Sequence, residues 1–211
     1  MSSRDLRWRT PAVWFCVALC GLPASETVLA SAGDPGQEDL SADELRRLVH
    51  GEQVTRRAVT RPGRPNLMGG TSWQVIDRPP EAVWALLLDA SQYHRTLPQV
   101  VRAEIVRDSG AERTLLLEHG NGLLQLRYHL AVRIDPRARQ ISFRVDESRP
   151  HDIRGGAGFY LLRPYPNQKT LLVYGVLADL GDRFFAQLLR ASVEEWMLKV
   201  PWLVKRVAES N

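Results

Sequence analysis

The sequence contains no hydrophobic run that could cross a bilayer as a helix, which takes about 18 or more apolar residues. The apolar segment at residues 11–22 is too short, follows an arginine-containing segment at residues 4–9 and precedes Ala-Ser-Ala at residues 30–32. These are the parts of a signal peptide. We therefore expect a signal peptide over residues 1–32, cleavage after Ala32, and a secreted or periplasmic protein. The alternative is an uncleaved N-terminal membrane anchor.

Cysteine is almost absent as well. The two cysteines, Cys16 and Cys20, both lie within the expected signal peptide, so the mature chain would have none. A chain without cysteine has no disulfide, no thiolate nucleophile and no cysteine-ligated zinc. With 44% apolar and 25% charged residues, the composition is that of an ordinary globular protein.

Motifs for metal binding and catalysis are also lacking. No two histidines lie at the spacing of metal ligands along the chain. The five histidines are His50, His94, His119, His129 and His151. The sequence has no G-x-S-x-G, and the glycine pair at residues 155–156 does not match a phosphate-binding loop. We therefore expect neither a metal nor a cofactor.

Residues 33–66 form an N-terminal extension ahead of the main domain. The S-x-x-E sequence beginning at Ser41 is a capping box, and apolar residues at helical spacing follow it, which predicts a helix over residues 41–50. Residues 53–59 are a possible strand, and residues 60–66, with two prolines and a glycine, are a loop. The sequence leaves open whether this extension covers a binding site or packs elsewhere.

The main domain, residues 67–211, begins with a strand at residues 68–77 and two short helices. The prolines at residues 79–80 suit the first helical turn, where a backbone N–H would have no intrahelical partner. A second short helix follows Asp89 and ends before Pro98. We expect these helices to close one end of a curved sheet.

From residue 99 onward the hydrophobic period changes to two, which is typical of β-strands. The clearest strand is residues 124–134, in which apolar and polar residues alternate, so that one face is buried. The Asn-Gly pair at residues 121–122 is a strong hairpin signal. Its register points His119 inward and His129 outward.

Residues 183–208 form a long helix with an apolar stripe, and Pro201 should kink it near Met197 because proline donates no backbone hydrogen bond. The stripe can be buried only against the concave face of the sheet. The fold class is therefore α+β: a curved seven-stranded antiparallel sheet around a long C-terminal helix, with two short helices after the first strand, and an N-terminal helix and extra strand. Such a sheet and a single helix leave a gap, which is a natural ligand cavity.

The outer face of this sheet is expected to be basic. The formal net charge is +4, and several arginines fall on the outer face: Arg127, Arg133, Arg144 and Arg163. Such residues are usually solvated, and peripheral contact with an anionic membrane is the alternative. Nucleic acid is excluded as a partner, because the protein is expected to be exported and no exposed aromatic residues alternate with the basic ones.

Two stretches carry a resemblance to a known superfamily. Residues 75–101, VIDRPPEAVWALLLDASQYHRTLPQVV, and residues 158–181, GFYLLRPYPNQKTLLVYGVLADLG, resemble the START-like (SRPBCC, helix-grip) superfamily, which includes the birch pollen allergen. The sequence is most similar to the polyketide cyclase/dehydrase and lipid transport branch, with the coenzyme Q-binding proteins beside it. The resemblance covers residues 68–208 and implies a cavity for apolar or amphipathic molecules, but it implies no catalytic residue.

The cavity walls should come from the inner strand faces and the C-terminal helix. The expected lining residues are Trp84, Leu88, Tyr93, Leu115, Leu117, Leu126, Tyr128, Leu130, Phe143, Phe159, Val193, Trp196 and Val200. The Tyr128 hydroxyl could bond a carbonyl or quinone oxygen of a ligand, or a partner in the core. His151 and Asp152 could act as acid and base if their loop lies at the cavity mouth, and otherwise belong to a solvated loop.

Three functions follow from these expectations. The first is an exported binding or carrier protein for a hydrophobic small molecule or lipid. The second is a cyclase or dehydratase-type enzyme that uses the same cavity, with His151, Asp152 and Tyr128 as candidate catalytic residues. The third is a cell-envelope interaction module that uses the basic face or the extension. The ligand and the oligomeric state do not follow from the sequence.

Overall fold

The structure is a computed structural model that describes residues 40–59, 67–120, 125–181 and 186–210, all within one compact unit. The expected signal peptide, the loop at residues 60–66 and the Asn-Gly turn lie outside the described residues. The elements in chain order are α1 (Ala42–Val49), β1 (Val54–Arg57), β2 (Met68–Ile76), α2 (Pro80–Leu88), a 3-10 helix (Ala90–Gln92), α3 (Tyr93–Thr96), β3 (Val100–Asp108), β4 (Glu112–Gly120), β5 (Gln125–Asp135), β6 (Gln140–Val145), β7 (Gly155–Tyr165), β8 (Lys169–Asp179), α4 (Ala186–Leu198) and α5 (Val200–Ser210).

The strands of the described residues join one antiparallel sheet in the order β1-β2-β8-β7-β6-β5-β4-β3. The predicted helix-grip fold is confirmed, and the sheet has eight strands because the extra strand β1 pairs with β2 at one edge. The pairing of Gly120 with Gln125 at the end of β4 and the start of β5 also agrees with the predicted hairpin. No helix among the described residues is long and apolar enough to span a membrane.

The predicted long C-terminal helix is two helices, α4 and α5, interrupted at Lys199. Pro201 has no N–H to donate to the Met197 carbonyl, so the helix breaks close to the predicted kink. The Leu198 carbonyl accepts hydrogen bonds from the Ser72 hydroxyl at 2.8 Å and from the Gln53 side-chain amide. Strand β2 and the extension therefore hold the end of α4.

Helix α5 buries its apolar side against the inner face of the sheet. Val200 and Val204 are fully buried together with Ile76 of β2 and Leu172 of β8. This packing brings α4 and α5 across the concave face of the sheet. The side chains of Phe185, Leu188 and Leu189, which belong to the predicted stripe, are not among those described.

Helix α1 packs on the outer face of the sheet. Its capping box is formed as predicted, since the Glu44 N–H donates to the Ser41 hydroxyl and the Ser41 N–H donates to the Glu44 carboxylate. Leu48, only 1% exposed, packs with Trp73 and Val54 in a second hydrophobic core, which we call the outer core. Helix α1 therefore lies on the face opposite the helices α4 and α5, whereas Gln53 and Arg57, at the sheet edge, reach α4. Strands β2, β7 and β8 are covered on both faces.

The two predicted short helices are present and close one end of the sheet. Helix α2 begins directly after Pro79 without a side-chain cap, and the Asp89 carboxylate then accepts the Ser91 N–H at 2.9 Å to start the next turn. The Tyr93 hydroxyl donates to the Leu87 carbonyl at 2.9 Å, which ties α3 back to α2. These bonds place Leu87 and Tyr93 over the concave face of the sheet.

Candidate functional site

A cavity of about 200 Å³ lies between the concave sheet face and the helices. By a comparable measure a single water molecule needs only about 10–15 Å³. Its lining is mostly aliphatic and aromatic, with side chains from strands β4 to β8, the short helices and helix α4. Val193, Trp196 and Met197 form the helical side of the wall.

The structure places ten of the expected residues together in the cavity lining. They are Tyr93, Leu115, Leu117, Leu126, Tyr128, Leu130, Phe143, Val193, Trp196 and Val200. The strand residues among them share the inner face because side chains alternate along β4, β5 and β6. Further lining residues that were not expected include Leu87, His119, Ile153, Tyr160, Tyr174 and Leu180.

Three expected residues lie outside the cavity lining. Trp84 and Leu88 pack into the core beneath α2 and α5, because the turn of α2 directs Leu87 rather than Leu88 toward the cavity. Phe159 points to the outer face of β7, where it packs against the outer core. Tyr160, the next residue along the strand, takes the inner position.

His151 and Asp152 also lie outside the lining, which corrects the expectation that they act as acid and base there. Both are exposed. The Asp152 N–H donates to the Arg127 carbonyl at 2.9 Å, and the Asp152 carboxylate accepts the Arg127 N–H at 2.8 Å. Asp152 thus fastens the loop after β6 to β5, and this attachment positions Ile153 in the cavity wall.

Tyr128 and His119 form a polar pair inside the cavity. The Tyr128 hydroxyl oxygen lies 2.8 Å from His119 Nε2, and the two rings stack with centroids 5.5 Å apart. His119 Nδ1 lies 3.0 Å from the Pro98 carbonyl oxygen. The predicted inward orientation of His119 is confirmed, but its contact with Tyr128 was missed, because nothing in the sequence predicts that the Pro98 carbonyl orients the ring.

The pair is neutral at neutral pH. Burial lowers the pKa of His119, and the hydrogen bond to the Pro98 carbonyl only partly opposes this effect. Burial also raises the pKa of Tyr128 far above its ordinary value. The pair can therefore offer hydrogen bonds to a ligand without placing a charge in an apolar cavity.

A group of aromatic residues also lines the cavity. Phe143, Tyr160 and Tyr174 lie together, with the two tyrosine ring centroids 4.9 Å apart. Burial raises the pKa of both tyrosines, so both hydroxyls stay protonated. The Phe143 ring fits because residue 158 is glycine: a Cβ there would lie 2.5 Å from that ring.

The outer sheet face carries charges of both signs. Glu118 lies 3.5 Å from Arg102 and 3.4 Å from Arg127, and Arg102 also bonds Glu104 at 2.6 Å. Arg133 and Arg144 are exposed on the same face. Contact of this face with an anionic membrane stays a prediction. Among the described residues, no group of metal-ligating side chains comes together.

We expect stability to fall as the pH is lowered below 6.5, the ordinary pKa of histidine. The folded pKa of His119 is depressed, so stability is full above 6.5 and decreases toward the folded pKa, because only the unfolded chain then takes up the proton. The charged groups beside His119 lie on the outer face of the sheet, where Glu118 forms ion pairs with Arg102 and Arg127. The group that faces the His119 ring is the Tyr128 hydroxyl.

Urea unfolding between about pH 7.5 and 4.5 measures this effect. His119→Gln should lose part of the pH dependence, whereas His151→Gln, at an exposed position, should keep the wild-type profile. Identical profiles for His119→Gln and wild type would contradict the prediction.

Known proteins with similar sequences or structures agree with the fold described above. Residues 70–199 match the sequence model of the family described as polyketide cyclase / dehydrase and lipid transport. The chain belongs to this family. The match spans most of the cavity-forming elements, from β2 to the end of α4. No curated protein sequence matches the chain.

Solved structures similar to this family member share its fold. TTHA0849 from Thermus thermophilus is 21% identical, with a TM-score of 0.56 over 66% of this chain and 93% of that one. The Zhui aromatase/cyclase from Streptomyces sp. R1128 is 16% identical, with a TM-score of 0.58 over 68% and 94%. Ara h 8.0201 is 10% identical, with a TM-score of 0.52 over 69% and 100%. At these identities the likeness establishes the fold alone.

Proposed function

We propose that this polyketide cyclase / dehydrase and lipid transport family member is an exported binding or carrier protein for a hydrophobic small molecule or lipid. The observation that carries the proposal is the apolar cavity enclosed by the sheet, the short helices and α4. Burying apolar surface contributes about 25 cal/mol per Å². A ligand that fills the cavity would therefore bind mainly through its apolar surface.

The polar groups of the cavity support binding more strongly than they support catalysis. Several hydroxyls are bonded to the protein itself: Tyr93 to the Leu87 carbonyl, Thr96 to the Gln92 carbonyl and Tyr128 to His119. The other two candidate catalytic residues, His151 and Asp152, lie outside the lining. The site thus has a few orienting groups in an apolar wall, the usual composition of a small-molecule binding site.

Binding is tested with the fluorescent probe N-phenyl-1-naphthylamine, which becomes brighter in apolar surroundings. We expect saturable binding by the wild-type protein and at least about tenfold weaker binding by Val193→Phe, whose ring would occupy the cavity. Ala191→Phe adds the same ring at an exposed position of α4 and should bind like wild type. Probe binding that is absent, or unaffected by Val193→Phe, would contradict the proposal.

Export is the second part of the proposal and rests on the signal-peptide pattern of residues 1–32. Mass spectrometry of the protein isolated from its native compartment tests both parts. A mass of the denatured protein that matches a chain beginning at Gly33 would support export and cleavage. An apolar molecule that is bound in the native protein and released on denaturation would support the carrier function. An uncleaved protein confined to the cytoplasm would overturn export alone.

A cyclase or dehydratase-type enzyme is the second candidate. The observation that favours it is the Tyr128–His119 pair, which places a neutral base and a hydroxyl inside the cavity. The Zhui protein, named as an aromatase/cyclase, shares the fold. A bound ligand that loses the mass of water during incubation with wild type, but not with His119→Leu, would favour the enzyme over the carrier.

A further inference from the structure

We propose that the cavity selects apolar ligands that carry a hydroxyl group, because Tyr128 offers the ligand a hydrogen-bond acceptor and not a donor. The proposal rests on the proposed function, since it assumes that the cavity binds a hydrophobic molecule. The expected ligand is an apolar alcohol or phenol, and the matching ketone, ether or quinone should bind less tightly.

The Pro98 carbonyl fixes the tautomer of His119. A carbonyl oxygen can only accept a hydrogen bond, and it lies 3.0 Å from His119 Nδ1. The proton of the neutral ring is therefore on Nδ1, and Nε2 carries a lone pair.

That lone pair determines the direction of the next hydrogen bond. His119 Nε2 lies 2.8 Å from the Tyr128 hydroxyl oxygen, so the Tyr128 O–H must be the donor. The single proton of Tyr128 is thus directed at His119, and only the oxygen lone pairs remain for a ligand. The chain of bonds runs from Tyr128 through His119 to Pro98.

The surroundings of the pair strengthen this selectivity. Leu117 lies directly opposite Tyr128 on β4, and Leu126 and Leu130 flank it on the inner face of β5, so the wall next to the hydroxyl is aliphatic. Tyr160 pairs with Ile141, whereas Tyr128 lies beyond Val145, the last residue of β6, so the Tyr160 backbone lies further along the sheet, although the two tyrosines line the same cavity and interact electrostatically.

The energetic consequence differs between an alcohol and a ketone. An alcohol can donate to the Tyr128 oxygen and so replaces a hydrogen bond that it made with water. A ketone would bring its lone pairs against those of Tyr128 and would find no donor at that hydroxyl, so an oxygen placed there would stay without a hydrogen bond. We therefore expect the alcohol to bind more tightly than a ketone of the same size.

The test uses 1-tetralol and 1-tetralone, which have the same carbon skeleton, as competitors of N-phenyl-1-naphthylamine. For the wild-type protein at neutral pH we expect 1-tetralol to bind about tenfold more tightly, the factor that one net hydrogen bond supplies. His119→Leu removes the acceptor for Tyr128 and frees its O–H for the ligand. In this variant 1-tetralone should gain affinity and the preference should fall to about twofold or less.

The double variant His119→Leu with Tyr128→Phe is the control, because it removes both polar groups. It should bind both competitors with similar affinity and show none of the gain for 1-tetralone. If His119→Leu does not fold, the comparison of the two competitors on the wild-type protein still decides the proposal.

The outcomes separate this proposal from the one on which it rests. If neither the probe nor the competitors bind, the proposed function fails. If the probe binds and both competitors displace it equally well from the wild-type protein, the cavity binds apolar ligands but the inference about the hydroxyl is wrong. A preference for 1-tetralone in the wild-type protein would overturn it in the same way.

Discussion

Replacing Gly158 by alanine should destabilise the protein by about 1–3 kcal/mol or more, the cost of overpacking a core. The added Cβ would lie 2.4 Å from the Gly175 carbonyl oxygen and 2.5 Å from the Phe143 ring. The carbonyl belongs to the backbone of β8, which is paired with β7 and has no room to move. The Phe143 ring must therefore shift, and with it one wall of the cavity.

Gly155→Ala is the matched control, since it lies in the same strand and the nearest atom to its new Cβ is 3.8 Å away. Its unfolding free energy should stay within about 0.5 kcal/mol of wild type. Urea unfolding and probe binding measure both variants. Equal stability and equal probe affinity of the two variants would show that Phe143 is not held against residue 158.

Replacing Leu48 by alanine should cost about 2–5 kcal/mol, as for other fully buried leucines. Leu48 is the residue through which α1 packs into the outer core, where it lies with Trp73, Val54 and Leu161. Truncation leaves a cavity beneath α1 and loosens α1 from the sheet, while β1 and Gln53 stay paired with β2 and α4. Because the outer core lies on the opposite face of the sheet from the ligand cavity, the affinity for N-phenyl-1-naphthylamine should be unchanged in the folded variant.

Leu45→Ala removes the same atoms three residues earlier on α1, where the side chain is 48% exposed. This variant should change stability by less than about 0.5 kcal/mol. Chemical denaturation of both variants gives the comparison. The placement of the extension would be wrong if the two substitutions cost the same, or if Leu48→Ala abolished probe binding without unfolding the protein.

Local patterns predicted much of the fold. The alternation along β5 predicted which side chains face inward, because that strand has one apolar and one polar side. The Ser41 capping box predicted the start of α1, because its contacts lie within one helical turn. Pro201 marked the helix interruption because its missing N–H acts locally. Each of these signals depends on residues that are close in the chain.

The remaining errors come from contacts between distant segments. Strands β7 and β8 are apolar on both sides because each separates two cores, so alternation could not show that Phe159 points outward and Tyr160 inward. The Tyr128–His119 pair depends on a diagonal contact between two strands and on a carbonyl from a loop. Asp152 was mistaken for a candidate acid because its backbone partner, Arg127, lies 25 residues away in the chain.

The two hydrogen bonds to the Leu198 carbonyl determine which side chains of α4 line the cavity. Each residue of an α-helix advances about 100° around the axis. A rotation of α4 by one residue would turn Val193 and Trp196 away from the cavity and bring polar neighbours inward. Ser72 and Gln53 therefore set the angular position of α4 from a point outside the lining, and substitutions there should change the shape of the cavity although neither residue lines it.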